Sequence, residues 1–314
     1  RTSTCGSNRT GYIIMLGLGF NLAATPVLGG GPPFSLKLDG TDDFMVASHD
    51  SSIMPTAGLT VSAWVNLDTE HGATGWVNPD NDDSDDHDEY VVGCIASGGY
   101  GIYISYAGTA SNPITQIRGA VRVTDTGSGS AGYLFPVWGG ITSTTGGPAL
   151  HEIKDFTGWI HVALTYASGV IRLYINGSND LNEGAVDTSA NQTIDTGVTD
   201  NAIVYAANLP LMIGADAINA GIESSAQNHL RGGLVDDVAV WSAAIDSDGI
   251  AVIYNSGKVG LNLLASSGNY DNQSDLEGWW KFEEGSGTSI ADSSSNSNTG
   301  TLVNSPSFSD NTSE

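Results

Sequence analysis

Apolar and polar residues alternate along much of the chain, and this period of two predicts β-strands. The clearest example is the hairpin at residues 158–176, where two alternating runs flank the turn Ala167-Ser168-Gly169. Residues 59–67 alternate as well, but Trp64 falls on the opposite face from the apolar set. Either both faces of that strand are covered or the ring lies at an edge. Further strands are predicted at 34–39, 44–47, 90–96, 100–105, 114–124, 278–283 and 300–304.

Residues 209–254 predict a strand, an acidic polar loop, a second strand and then one short helix. Asp246-Ser247 supplies N-cap oxygens, and Asn255-Ser256-Gly257 has the composition of a helix end. The helix is therefore expected near residues 247–255. One helix after a long run of strands is unusual for an all-β chain.

The first 33 residues predict a flexible arm before one main domain at residues 34–310. Within the arm, residues 12–24 are apolar and follow Arg9, which is typical of a signal-peptide core. Asn21 and two glycines interrupt this run. We therefore favour Met15 as the true start over a signal peptide.

The net charge of the chain disfavours some classes of binding partner. The chain has 35 acidic and 10 basic residues and a formal net charge of −25 at pH 7. Such a charge is repelled by phosphate backbones and by anionic membrane surfaces, so neither nucleic acid nor membrane is an expected partner. No run of apolar residues reaches the ~18 that a membrane helix needs. The acidity indicates either divalent-cation binding or solubility in a salty medium.

The densest acidic run lies at residues 80–89. It holds seven carboxylates, at Asp80, Asp82, Asp83, Asp85, Asp86, Asp88 and Glu89. Calcium takes six to eight oxygen ligands, and clustered carboxylates suit it. Asp82, Asp85 and Glu89 are the candidate ligands. The alternative is a solvated loop with no cation.

Four aromatic residues lie in or beside polar loops and are candidates for contact with a sugar. They are Trp76, Tyr90, Tyr133 and Trp138. Aromatic rings give a large contact area at little entropic cost, and the polar groups beside them can donate and accept hydrogen bonds. The tryptophans inside alternating strands are predicted to be core residues instead.

Three stretches resemble the laminin-G/pentraxin-like jelly roll of the concanavalin A-like lectin and glucanase superfamily. They are SLKLDGTDDF with LTVSAWV, GWIHVALTYASGVIRLYING, and the strand–loop–strand–helix segment at 209–254. The resemblance implies a two-sheet antiparallel jelly-roll sandwich. In relatives, the element similar to WWKFEEGSGT…DSSSNSNTGTL opens the domain, whereas here it lies at residues 278–304. We interpret this as a circular permutation that completes the same sandwich; the alternative is the start of a second domain.

The resemblance to pentraxins also implies calcium ligands in the loop after the strand matched by Leu211–Gly214. Asp216 falls in that loop and Asn219 follows it, so both are candidate ligands. At Asp42-Asp43 and Asp236-Asp237 the resemblance suggests turn stabilisation or a structural cation. Asx-type capping is the alternative at both places.

A looser resemblance concerns virion-associated lectin-like proteins of marine bacteriophages. It rests on the start MLGLGFNL, the helix end IYNSG and the segment DSSSNSNTGTL. This resemblance implies a protein that is extracellular or virion-associated, with other virion or surface proteins as further partners.

The leading hypothesis is a non-catalytic, lectin-like module that binds carbohydrate or a cell surface with the help of calcium. One alternative is a structural virion decoration or adhesion protein without a defined sugar site. The other is a degenerate glucan hydrolase. Hydrolysis is the least favoured, because the chain lacks the Glu-x-Asp-x-x-Glu motif of laminarinase-type relatives. The adjacent pair Glu283-Glu284 would point to opposite faces of a strand.

Overall fold

A computed structural model gives the architecture of residues 34–67, 88–95, 98–109, 112–125, 130–139, 158–178, 191–193, 202–217, 226–257 and 260–310. These residues form two large antiparallel sheets, one small strand pair and one α-helix. The prediction of an all-β jelly-roll sandwich with one short helix is confirmed. Within the described part of the chain, no helix has both the length and the apolar character needed to cross a bilayer.

The described strands follow one another along the chain, with one α-helix and a short 3₁₀-helix (Gln273–Asp275) between the fourteenth and the fifteenth. They are β1 (Phe34–Leu38), β2 (Phe44–Ala47), β3 (Gly58–Asn66), β4 (Asp88–Gly93), β5 (Tyr100–Thr109), β6 (Asn112–Asp125), β7 (Ser130–Gly139), β8 (Trp159–Ala167), β9 (Val170–Ile175), β10 (Asn191–Thr193), β11 (Leu211–Ile213), β12 (Asp216–Ala217), β13 (Ala226–Gln227), β14 (Gly233–Trp241), β15 (Leu276–Trp280), β16 (Ser289–Ile290), β17 (Gly300–Val303) and β18 (Ser307–Asp310), with helix α1 at Ser247–Asn255.

Each large sheet has eight strands. Sheet A has the order β10-β9-β8-β3-β14-β1-β18, and β15 also pairs with β14. Sheet B has the order β16-β17-β2-β11-β4-β5-β6-β7. The C-terminal strands therefore contribute to both sheets: β15 and β18 to sheet A, and β16 and β17 to sheet B. The circular permutation itself stays a prediction.

The main core lies between the two sheets and is built from the inward residues of both. On sheet A it includes Val61, Leu164 and Val240, and on sheet B it includes Val92 and Ile102. The sheets meet closely where β8 faces β6. A Cβ atom added at Gly119 would lie 2.5 Å from Leu164 Cδ1, so the glycine makes room for that leucine.

A second apolar cluster lies on the other face of sheet A, where helix α1 covers the strands. Ile250 and Ile253 of the helix pack with Trp241 and Trp279 of the sheet. The helix begins as predicted, because the Asp246 side chain accepts a hydrogen bond of 2.8 Å from the Gly249 N–H. The part of sheet A beneath α1 is thus covered on both faces.

Trp64, in the strand predicted at residues 59–67, lies on the face of sheet A that helix α1 covers. The Trp64 ring is only 8% exposed and stacks on Tyr254 of α1, with the ring centroids 5.9 Å apart. Of the two alternatives for this residue, the structure shows that both faces of the strand are covered.

His161 is buried beside Trp64. The two residues are register partners on β8 and β3, and their ring centroids are 5.2 Å apart. The His161 side chain is fully buried, and neither ring nitrogen has a hydrogen-bond partner among the described residues. Burial lowers the pKa of His161 to about 3, because a charged imidazolium would lack both water and a partner.

This burial predicts a specific loss of stability in acid. In the unfolded chain His161 binds a proton below its ordinary pKa of about 6.5, while the folded protein binds it only near 3. The free energy of unfolding should therefore fall as the pH drops from about 6.5 to about 3, by up to about 1.4 kcal/mol per pH unit from this group. His161→Phe should flatten the decline, as measured by urea denaturation between pH 7 and pH 4.

The exposed histidine variant His49→Gln is the matched control and should keep the wild-type slope. A His161→Phe protein that loses stability in acid as steeply as the wild type would contradict the prediction.

Candidate functional site

A short turn between β1 and β2, residues 39–43, gathers three carboxylates and is called the carboxylate turn below. The chain can reverse there because Gly40 has a φ of +81° and lies against the backbone of Arg231 and Gly232. A Cβ atom at Gly40 would be 2.9 Å from two backbone atoms of that neighbouring loop. Inside the turn, Asp39 Oδ1 accepts a 2.8 Å hydrogen bond from Thr41 N–H.

The carboxylates of Asp39, Asp42 and Asp43 each place an oxygen within 4.8 Å of the others. Asp39 and Asp42 are exposed, whereas Asp43 is only 4% exposed. Burial is the main cause that raises the pKa of Asp43, and the charges of Asp39 and Asp42 act in the same direction. This group could hold a metal ion, because carboxylate oxygens are hard ligands.

Glu89, a predicted metal ligand, lies at the start of β4 with its side chain only 3% exposed. Its Oε2 accepts a 2.9 Å hydrogen bond from Arg231 N–H, and its Oε1 lies 3.1 Å from Arg231 Nε. The loop at residues 228–232 therefore contacts both Glu89 and the carboxylate turn. A cation at Glu89 would have to compete with the guanidinium of Arg231.

Asp216, the second described metal candidate, lies on β12 and is 1% exposed. Its Oδ1 accepts a 2.7 Å hydrogen bond from Ile95 N–H, at the end of β4. The same oxygen would lie 3.1 Å from a Cβ atom at Gly93. Asp216 thus fixes the segment that follows β4.

On the face of sheet B that points away from the core, Tyr90 stacks on Tyr103. Their ring centroids are 4.9 Å apart and the ring planes differ by 22°. The Tyr90 ring lies over Gly93 and Gly101, since a Cβ atom at either glycine would collide with it or press against it. Both tyrosines are 5% exposed, and burial raises the pKa of each, that of Tyr103 to about 12.

This tyrosine pair belongs to a row of register partners across four strands of sheet B. Tyr90 on β4 pairs with Tyr103 on β5, Tyr103 pairs with Arg118 on β6, and Arg118 pairs with Trp138 on β7. Arg118 and Arg122 are partly exposed, and Arg122 Nε donates a 2.6 Å hydrogen bond to Ile95 O. Arg122 pairs with Leu134 instead, but it lies on the same face of β6 as Arg118. We call Tyr90, Tyr103, Arg118, Arg122 and Trp138 together the outer row.

The structure brings some predicted residues together and separates others. Tyr90 and Asp216 meet, because both approach the Cβ position of Gly93. Tyr133 is the register partner of Val123, a core residue, and so lies in a different row from Trp138. Four predicted site residues lie outside the described residues: Trp76, Asp82, Asp85 and Asn219.

Sequence reasoning missed Asp39, Tyr103, Arg118 and Arg122. A signal for the two arginines was present, because residues 117–123 alternate and place both of them on one face of a strand. The signal for Asp39 is its position two residues before Thr41, the spacing of an Asx-turn.

Comparison with known proteins agrees with this architecture. The laminin-G profile described as concanavalin A-like lectin/glucanases superfamily matches residues 39–251, which is more than half of the chain. The chain belongs to the concanavalin A-like lectin/glucanase superfamily. No curated protein matches it.

The chain is also similar in fold to solved structures. A candidate carbohydrate-binding protein from Bacteroides ovatus shares 17% identity at a TM-score of 0.50, over 89% of this chain and 60% of that one. A heptameric SAP-like pentraxin from Limulus polyphemus shares 14% identity at a TM-score of 0.45, over 74% of this chain and 86% of that one. At such identities the likeness concerns the fold alone.

The Glu89–Arg231 contact predicts a stability effect. Glu89→Gln keeps the shape of the side chain but removes the charge that Arg231 faces. We expect the free energy of unfolding to fall by about 1.5–3 kcal/mol, the usual range for a hydrogen bond to a charged group. Urea denaturation at pH 7 measures the change.

The matched control is Asp271→Asn, which removes an exposed carboxylate elsewhere on the surface and should change stability little. Equal stability of Glu89→Gln and the wild type would show that the pair contributes nothing to the fold.

Proposed function

We propose that this protein is a non-catalytic, lectin-like module that binds carbohydrate, on a cell surface or as a free glycan, with the help of calcium. The observation that carries the proposal is the outer row, which combines stacked tyrosines with two partly exposed arginines on one face of sheet B. Membership of the concanavalin A-like lectin/glucanase superfamily supports the same conclusion.

The chemistry of the outer row suits a sugar. A glycan presents hydroxyl groups, and sometimes carboxylates, beside apolar C–H faces. The planar guanidiniums of Arg118 and Arg122 can donate several hydrogen bonds in a fixed geometry. Tyr90 and Tyr103 are 5% exposed, so in this proposal they mainly support the binding surface. Trp138 continues the row on β7 and stays the leading aromatic candidate for direct contact.

Calcium is the proposed cofactor. The carboxylate turn offers three carboxylates, and the sequence adds further oxygen-bearing candidates at Asp82, Asp85 and Asn219. Oxygen-rich groups of this kind select calcium over softer metals. The proposed setting is outside the cell or on a virion, where other surface proteins would be additional partners.

The test is glycan binding by the full chain in the presence of calcium. A glycan array identifies a ligand, and titration calorimetry then measures its dissociation constant. Arg118→Gln should weaken that binding at least tenfold, because losing a bidentate donor leaves sugar oxygens without partners. Trp138→Ala should weaken it as well.

Arg172→Gln is the matched control, because Arg172 is an exposed arginine on β9 of the other sheet. It should leave the affinity unchanged. If the wild type binds no glycan on the array, the structural decoration role replaces the lectin role. If Arg118→Gln and Trp138→Ala both bind like the wild type, the sugar site lies elsewhere.

A further inference from the structure

A small cavity lies where helix α1 covers sheet A, and it is called the indole cavity below. Its wall combines two indole rings, one carboxylate and one hydroxyl group with aliphatic side chains. Strands β3, β14 and β15 supply the polar and aromatic part, and the helix and the segment after it supply the aliphatic part. The lining includes Ser62, Trp64, Asp237, Ile253, Leu263 and Trp279.

A buried hydroxyl group faces this cavity from the sheet. Ser62 is only 2% exposed and lines the cavity. Its neighbours Val61 and Ala63 point into the main core, so the Ser62 side chain points to the helix side of the strand. Within the described part of the chain its hydroxyl makes no hydrogen bond. Because a buried hydroxyl without a partner is costly, Ser62 indicates a ligand inside the cavity.

Asp237 and the two indole rings make the cavity suitable for a positive charge. The Oδ1 atom of Asp237 accepts a 2.8 Å hydrogen bond from Trp279 Nε1, which holds the carboxylate beside that ring. An indole face attracts cations, because its π-electrons carry negative charge. Trp279 already shows this attraction within the chain, since Lys281 Nζ lies 4.6 Å from its ring centroid. Trp64 supplies the second indole ring.

The size of the cavity restricts the ligand to one small group. Its volume is about 20 Å³, and roughly 10–15 Å³ is enough to hold a single water molecule. A primary ammonium group is nearly as small as water, whereas a trimethylammonium group is too large. A methyl group would leave the hydroxyl of Ser62 without a partner, and water would bring no charge to Asp237 or to the indole rings. The lining therefore favours a primary ammonium group.

We propose that the indole cavity binds the primary ammonium group of a small amine. The ammonium group donates hydrogen bonds to the Asp237 carboxylate and the Ser62 hydroxyl, and it lies against the indole rings. The rest of the amine extends outward, because the cavity is partly open to the surface. This site goes beyond the proposed function, since it lies on sheet A whereas the outer row lies on sheet B. An amino sugar and a simple alkyl amine share the required chemistry.

NMR titration of the full chain at pH 6 tests the proposal. The indole N–H signal of Trp279 is the readout, because this group donates to Asp237, and Trp279→Phe assigns the signal. Methylammonium should shift the signal in a saturable way. N-acetylglucosamine, whose nitrogen carries no charge, and choline, whose head group is too large, should leave it unchanged. Glucosamine separates the two sources: tighter binding than methylammonium identifies an amino sugar, and weaker binding identifies a simple amine.

Asp237→Asn is the main variant. Asparagine tolerates the φ of +45° at this position and keeps an oxygen for Trp279, so only the charge is lost. We expect methylammonium to bind at least tenfold more weakly. Ser62→Ala, the second variant, removes one hydrogen-bond acceptor and should weaken binding several-fold. Asp271→Asn removes an exposed carboxylate elsewhere and should bind methylammonium like the wild type.

Three results would overturn the proposal. The first is a wild type whose Trp279 signal shows no saturable shift with any amine, which would mean a cavity that holds water only. The second is choline binding as tightly as methylammonium. The third is unchanged affinity in both Asp237→Asn and Ser62→Ala. Failure to bind glycans on the array would refute the lectin role and leave this site intact.

Discussion

The pairing of strand β14 is the constraint on which both sheet A and the position of the 228–232 loop depend. It pairs with β3 along one side, while its other side pairs first with β1 and then with β15. The exchange of partners occurs at Asp236-Asp237, where the register shifts and Asp237 takes a φ of +45°. The Asp237 carboxylate accepts a 2.8 Å hydrogen bond from Trp279 Nε1 and so holds the incoming strand. Since the 228–232 loop leads directly into β14, its position follows from the same ladder.

Strands and helix ends were predicted well where the apolar–polar alternation and the residues of the adjacent turn or cap indicated the same boundary. The hairpin of β8 and β9 turns at Ser168 and Gly169, both with positive φ, directly after the predicted alternating run. Helix α1 begins at the predicted cap because the Asp246 side chain accepts a hydrogen bond from the N–H of Gly249, three residues later. Each of these signals lies within a few consecutive residues. It can therefore be recognised without knowing any contact between residues far apart in the sequence.

The candidate site could be predicted only in part, because its contacts join residues far apart in the sequence. Glu89 meets Arg231 142 positions later, and Asp216 meets Ile95 121 positions earlier. The outer row depends on a register shift between Tyr90 and Val92, which alternation alone does not reveal. Acidic composition suggested a cation, but it could not single out Asp43, whose distinction is burial rather than spacing.

The pairing of β1 with β18 has a mechanical consequence. Phe34, the first residue of β1, lies opposite Asp310, the last residue of β18. The antiparallel ladder therefore opens at the point where the chain enters and leaves the sandwich. A force that pulls these two points apart would load the hydrogen bonds one after another, as in a zipper, rather than all at once. An attachment protein under tension would resist more if it were held through an interior loop than through these two strands.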